Sequence, residues 1–145
     1  MAAEAALRSG AGLVSVITRS CHRPALLARR PEVMVLGTED GSANTADLIA
    51  RATAIVIGPG LGRGECARGL MQQALFTQIS ARKPLVLDAD ALHLLSEKYE
   101  QGVVDKGTGL KRDNWILTPH PGEAAALLNS SVSEIQADRF AAVAQ

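Results

Sequence analysis

Two hydrophobic patterns alternate along this chain. Short runs that are apolar nearly throughout occur at residues 13–18, 33–36, 54–57, 84–88 and 115–117. Between them lie stretches whose apolar residues recur at helical spacing, as with Leu70, Ala74, Leu75 and Ile79 in the segment 66–79. The remaining helices are predicted over 2–9, 25–29, 46–51 and 89–95, after Pro121, and from Ser133 to the end. Gly10 and Gly12 stop the first of them, and Asp40-Gly41 marks a turn. Residues 100–112 hold three glycines and several charges and read as an exposed loop. Continuously apolar strands separated by helices predict a parallel sheet covered on both faces, so the fold class is α/β, with about five strands in one layer.

The chain's 145 residues make one domain by length, enough to bury roughly 70% of the unfolded surface. The fifteen basic and fifteen acidic side chains cancel, which removes bulk attraction to nucleic acid or to an anionic membrane. Aromatic residues are confined to Phe76, Tyr99, Trp115 and Phe140, too few for base-stacking platforms. Cys21 and Cys66 have no zinc-type spacing, and a reducing, cytoplasmic setting is expected. No apolar run reaches membrane-spanning length, and no secretory signal is read at the start. Both ends read as cut: no capping residue precedes the first helix, and the last is still apolar at Gln145.

Three strand ends carry the candidate chemistry. Gly58-Pro59-Gly60-Leu61-Gly62 leaves the third strand; such a loop lets backbone approach a phosphate or a flat ring. It matches neither the Rossmann GxGxxG nor a Walker loop, and as a bare pattern it is weak, with a tight strand-to-helix turn as the alternative. Asp88-Ala89-Asp90 ends the fourth strand. Asp90 suits a helix cap or first turn, while Asp88 faces the usual ligand crevice; paired carboxylates can hold Mg²⁺ through water, but this spacing alone does not show it and no metal-ligating residue is assigned. Thr118-Pro119-His120-Pro121-Gly122-Glu123 ends the fifth. Pro119 keeps Thr118 extended and Pro121 suits the first helical position, so His120 sits at the corner. Gly122 leaves the helix's free N–H groups open to close approach. In a parallel sheet all three corners share the carboxyl edge, where ligands of open α/β sheets bind. His93 and His22 have no evident partners.

In this order the three motifs, with the opening segment 3–14, resemble the ADP/ATP-dependent NAD(P)H-hydrate dehydratases, also called the YjeF C-terminal or carbohydrate-kinase-related family. The resemblance covers essentially the whole chain and implies a ribokinase-like fold. It implies that residues 1–145 are a partial domain, without the family's upstream Gly-rich segment and its later nucleotide-binding GxGD portion. No GxGD occurs here, since Gly107-Thr108-Gly109-Leu110 has Leu where Asp is needed. The catalytic residue is therefore unassigned. Gly58, Gly60, Gly62, Asp88, His120, Pro121 and Gly122 would contact or line the substrate. ADP or ATP with Mg²⁺ would be the cofactors and NADHX or NADPHX the substrate. A homo-oligomer is implied, and fusion to an epimerase domain is allowed. A kinase of the same fold acting on a sugar or hydroxymethylpyrimidine, or a non-catalytic nucleotide-binding domain, are the alternatives.

Overall fold

The computed structural model describes residues 2–100 and 113–145, without the side chains of 42–43, 78–81 and 98–100. The loop expected over 101–112 lies outside the described residues. The chain forms two compact units, Met1–Ala52 and Thr53–Gln145.

The first unit runs α1 (Ala2–Arg8), β1 (Ser15–Thr18), α2 (Arg23–Arg29), β2 (Met34–Gly37) and α3 (Ser42–Arg51). β1 and β2 pair in parallel from Ser15 opposite Met34 to Thr18 opposite Gly37, with α2 as the crossover. An ion cluster ties the two ends of this unit's first half together. Glu4, only 7% exposed, lies 2.9 Å from Arg8 Nη2 and 3.0 Å from Arg29 Nη2, and also accepts from Arg30. Hydrogen bonds from Arg30, the largest cause, and from Arg29, with the charges of both, hold the Glu4 pKa down at about 2. At the other end of the strands, Ser20 donates its N–H and its hydroxyl to Glu39 at 2.8 and 2.7 Å, which lowers the Glu39 pKa to about 2. His22 has a partner after all: its Nδ1 lies 2.9 Å from Thr18 Oγ1, a contact made by the one-turn 3₁₀ segment at Ser20–His22.

The second unit runs β3 (Ile55–Ile57), α4 (Glu65–Ala81), β4 (Leu85–Leu87), α5 (Asp90–Glu100), β5 (Trp115–Leu117), α6 (Pro121–Leu128), α7 (Val132–Ala137) and α8 (Arg139–Val143). The strands form one parallel sheet in the order β3-β4-β5. Leu85 and Leu87, two residues apart on β4, are wholly buried against Met71 of α4 and Leu92 and Leu95 of α5. The intervening row, Val56–Val86–Ile116, is in register on the opposite face. Val56 and Ile116 there are 57% and 59% exposed.

Two differences from the sequence reading have local causes. The five described strands hydrogen-bond as a pair and a triplet, not in one continuous ladder. An apolar run fixes that a strand exists, whereas its neighbour is chosen by long-range pairing that no local pattern carries. The final helix is two helices. Asp138 turns extended at φ −148° and ψ 92° and accepts from Ala141 N–H at 2.9 Å, so its side chain starts α8 instead of continuing α7. α7 itself starts at a capping box, Ser131 with Glu134, two residues before the predicted start.

Candidate functional site

The register of the three-stranded sheet sets the geometry. Ile57, Leu87 and Leu117 are partners across β3, β4 and β5. The next residue on each strand, Gly58, Asp88 and Thr118, therefore lies at one level on the carboxyl edge, with Asp88 in the middle. Backbone bonds extend the ladder one step further: Asp88 N–H donates to Ile57 O at 3.1 Å and Thr118 N–H to Leu87 O at 3.1 Å. The Thr118 hydroxyl adds a second bond to the same carbonyl at 3.3 Å.

At the β3 corner, Gly58 has φ +133°, and a Cβ there would stand 1.6 Å from the Asp88 carbonyl oxygen. Only a glycine lets the two strand ends close to this distance. Gly60 and Gly62 also have positive φ, +73° and +77°, but a Cβ on either would meet nothing within 4 Å. They turn the backbone in open space. Leu61, between them, packs its side chain against the core cluster, and its N–H donates to Gly58 O at 3.0 Å.

At the β4 corner, Ala89 has φ +49°, a left-handed conformation that costs an alanine energy and marks a sharp turn. The turn sends the two carboxylates to different surroundings. Asp90 points back to the glycine loop, accepting from Gly62 N–H at 2.9 Å and lying 3.4 Å from Arg63 Nε. Asp88 carries no hydrogen bond or ion pair on its carboxylate among the described residues. Of the two carboxylates, one is thus engaged within the protein and the other is free among the described residues. Among the described residues no group of three or more His, Cys, Asp or Glu side chains is placed to hold a metal.

At the β5 corner, His120 is the N-cap of α6, in extended conformation at φ −73° and ψ 167°. Its Nδ1 accepts from Gly122 N–H at 3.0 Å and Glu123 N–H at 3.4 Å. Glu123 answers by accepting from His120 N–H at 2.9 Å, a capping box in which imidazole replaces the usual hydroxyl. The N–H groups expected to stay open are therefore occupied by the chain's own histidine. Gly122 makes room for that ring, since a Cβ there would lie 3.0 Å from His120 Cε1. With Nδ1 accepting, the ring proton is on Nε2, which lies 3.3 Å from the buried Glu123 carboxylate. The ring remains 64% exposed at the edge.

Sequence reasoning placed Gly58, Asp88 and Thr118 at one edge but missed what Asp90 and Glu123 do there. The signal for Glu123 was legible, as a carboxylate three residues after a corner residue. For Asp90 nothing local indicates that its partner lies 28 residues earlier.

Parallel strands joined by helices, with a glycine loop, a free carboxylate and a capped helix start on one edge, define a ribokinase-like α/β protein. A ribokinase-like superfamily protein of Enterococcus faecalis V583 superposes with a TM-score of 0.77 at 31% identity, over 90% of this chain and 43% of its own. A hypothetical protein of Streptococcus mutans superposes with a TM-score of 0.81 at 28% identity, over 99% of this chain and 49% of its own. The NAD(P)H-hydrate dehydratase family model matches residues 1–145, and the chain belongs to that family. It is 47% identical to the bifunctional NAD(P)H-hydrate repair enzyme Nnr of Coxiella burnetii, over 99% of this chain and 26% of that protein. It is 42% identical to the ADP-dependent (S)-NAD(P)H-hydrate dehydratase of Neisseria meningitidis, over 99% of this chain and 45% of that protein. The chain thus spans about a quarter of the one relative and under half of the other.

Proposed function

We propose that the protein to which this chain belongs is an ADP- or ATP-dependent NAD(P)H-hydrate dehydratase, and that the β3–β5 edge is one wall of its substrate site. Family membership over the whole chain supports the reaction class. The observation that carries the site is the common level of Gly58, Asp88 and Thr118 on adjacent strands.

The chemistry asked of such a site is the removal of a ring hydroxyl, which leaves poorly as hydroxide. Transfer of the terminal phosphoryl group of ADP or ATP to that hydroxyl oxygen turns it into a phosphate ester. Loss of a ring proton then drives out inorganic phosphate and restores the ring double bond. This chain's residues bind and orient. The backbone of Gly58, Gly60 and Gly62 gives a flat approach for the dinucleotide. His120, held at Nδ1 by the start of α6, offers its exposed edge to the substrate, and Pro121 and Gly122 fix that ring. Asp88 fits a place beside the phosphates, because its carboxylate is free and central. One carboxylate plus substrate phosphates is a usual Mg²⁺ environment, and the cation would neutralise phosphate charge there. The proton-accepting residue is not assigned to this chain, which has no GxGD. A homo-oligomer and a fused epimerase domain complete the proposal.

The test is turnover of hydrated NADH by the full-length protein, followed by the absorbance of regenerated NADH with ADP, ATP or neither. Nucleotide-dependent turnover is expected. Its absence, together with phosphorylation of a sugar or hydroxymethylpyrimidine alcohol, would replace this reading with that of a kinase.

A further inference from the structure

The glycine loop between β3 and α4 is poorly restrained by packing. Gly60 and Gly62 touch nothing at the Cβ position, and a third glycine, Gly64, is equally open. A chain so rich in glycine loses much conformational freedom when it is held in one shape. Its tip is held by the Leu61 side chain and, among the described residues, by Asp90, whose Oδ2 accepts from Gly62 N–H at 2.9 Å. The other Asp90 oxygen lies 3.4 Å from Arg63 Nε, so both oxygens of this carboxylate serve the loop. Asp90 reaches it because Ala89 is turned to φ +49° between β4 and α5. Two residues earlier, the Asp88 carboxylate has no partner among the described residues.

We propose that Asp90 is a positioning residue that clips the glycine loop in the shape that receives the dinucleotide, leaving Asp88 as the carboxylate for ligand. The two acidic residues of Asp88-Ala89-Asp90 thereby divide their labour, one facing the protein and one facing the site. The catalytic part of this inference rests on the function proposed above; the loop-holding part does not.

The experiment uses the full-length protein with Asp90→Ala, which removes the acceptor, and Asp90→Asn, which keeps an acceptor oxygen but loses the charge facing Arg63. In Asp90→Ala, amide exchange at Gly60, Gly62 and Arg63 is expected to rise about tenfold, the scale of one lost charge-assisted hydrogen bond. KM for hydrated NADH is expected to rise about tenfold while kcat and KM for the nucleotide stay within about twofold, the pattern of lost uniform binding. Asp90→Asn should recover most of both effects. Exchange and KM both within about twofold of wild type in Asp90→Ala would overturn the proposal. So would a lowered melting temperature with KM unchanged, the mark of a purely structural role. If Asp90→Ala does not fold, Asp90→Ser decides, because its hydroxyl oxygen sits one bond short of the Asp90 Oδ2 position: loop exchange and KM both within about twofold of wild type in that variant would overturn the proposal. If wild type does not turn over hydrated NADH, the proposed function falls, while exchange at the loop still decides the clip.

Discussion

Two glycines and one histidine on the edge separate steric need from conformational need. Gly58→Ala would drive a Cβ to 1.6 Å from the Asp88 carbonyl and hold alanine at φ +133°. A loss of about 3 kcal/mol or more is expected in denaturant unfolding. Gly60→Ala faces only the cost of φ +73° in open space, about 1 kcal/mol. Equal losses would mean that Gly58 is not pressed against β4. His120 carries a cap and, by the proposal, a substrate contact, and Asn can replace the first without the second. His120→Ala leaves two helix N–H groups without their acceptor and is expected to lose about 1 kcal/mol. His120→Asn should stay within about 0.5 kcal/mol of wild type, since Asn caps well. Both variants should raise KM for hydrated NADH. If His120→Asn restores KM along with stability, the imidazole is a cap and nothing more.

At the scale of elements, α1 and the end of α2 are joined by charge around Glu4, and this makes a pH-dependent element. The Glu4 carboxyl titrates at about 2 in the folded protein against an ordinary value of 4.5. A depressed folded pKa contributes stability that is complete above the ordinary value and is lost as pH falls towards the folded one. Glu39 behaves alike through Ser20. Wild type should therefore lose stability between about pH 4.5 and 2, and Glu4→Gln should lose less over that interval while being less stable at neutral pH. Parallel curves for the two proteins would show that the cluster contributes nothing. This contact also marks where the sequence stopped being legible. The strands could be read because their runs are apolar whichever way the chain packs, and α6 because Pro121 and Glu123 signal its start within three residues. The partners Glu4–Arg29, Gly62–Asp90 and Ser20–Glu39 lie 19 to 28 residues apart. They follow from which ends the fold brings together, and polar residues at such spacing carry no mark of each other. The left-handed turn at Ala89 was equally hidden, since alanine is not a residue that announces positive φ.

For the molecule as a whole, the proposed function separates binding from chemistry along the chain. The edge of the second unit supplies a loop, a carboxylate free of partners among the described residues and a capped histidine, which by the proposed function would hold a dinucleotide. No described cluster supplies three metal-binding side chains, and the sequence contains no GxGD to provide the family's base. The 145-residue polypeptide, prepared alone, is therefore expected to turn over hydrated NADH at below about one-hundredth of the rate of the full-length protein, since a positioned general base contributes 10²- to 10⁴-fold. Weak binding of hydrated NADH to the same polypeptide, read by titration calorimetry, should persist and should fall on Asp88→Asn only when nucleotide and Mg²⁺ are present. That difference follows from the proposed site, in which the glycine loop and His120 would meet the dinucleotide directly, whereas Asp88 would act through the cation on the phosphates. Turnover by the polypeptide near the full-length rate would place the base among residues 1–145. The Asp88 carboxylate, free and central on the edge, would then be the first residue to test for that role.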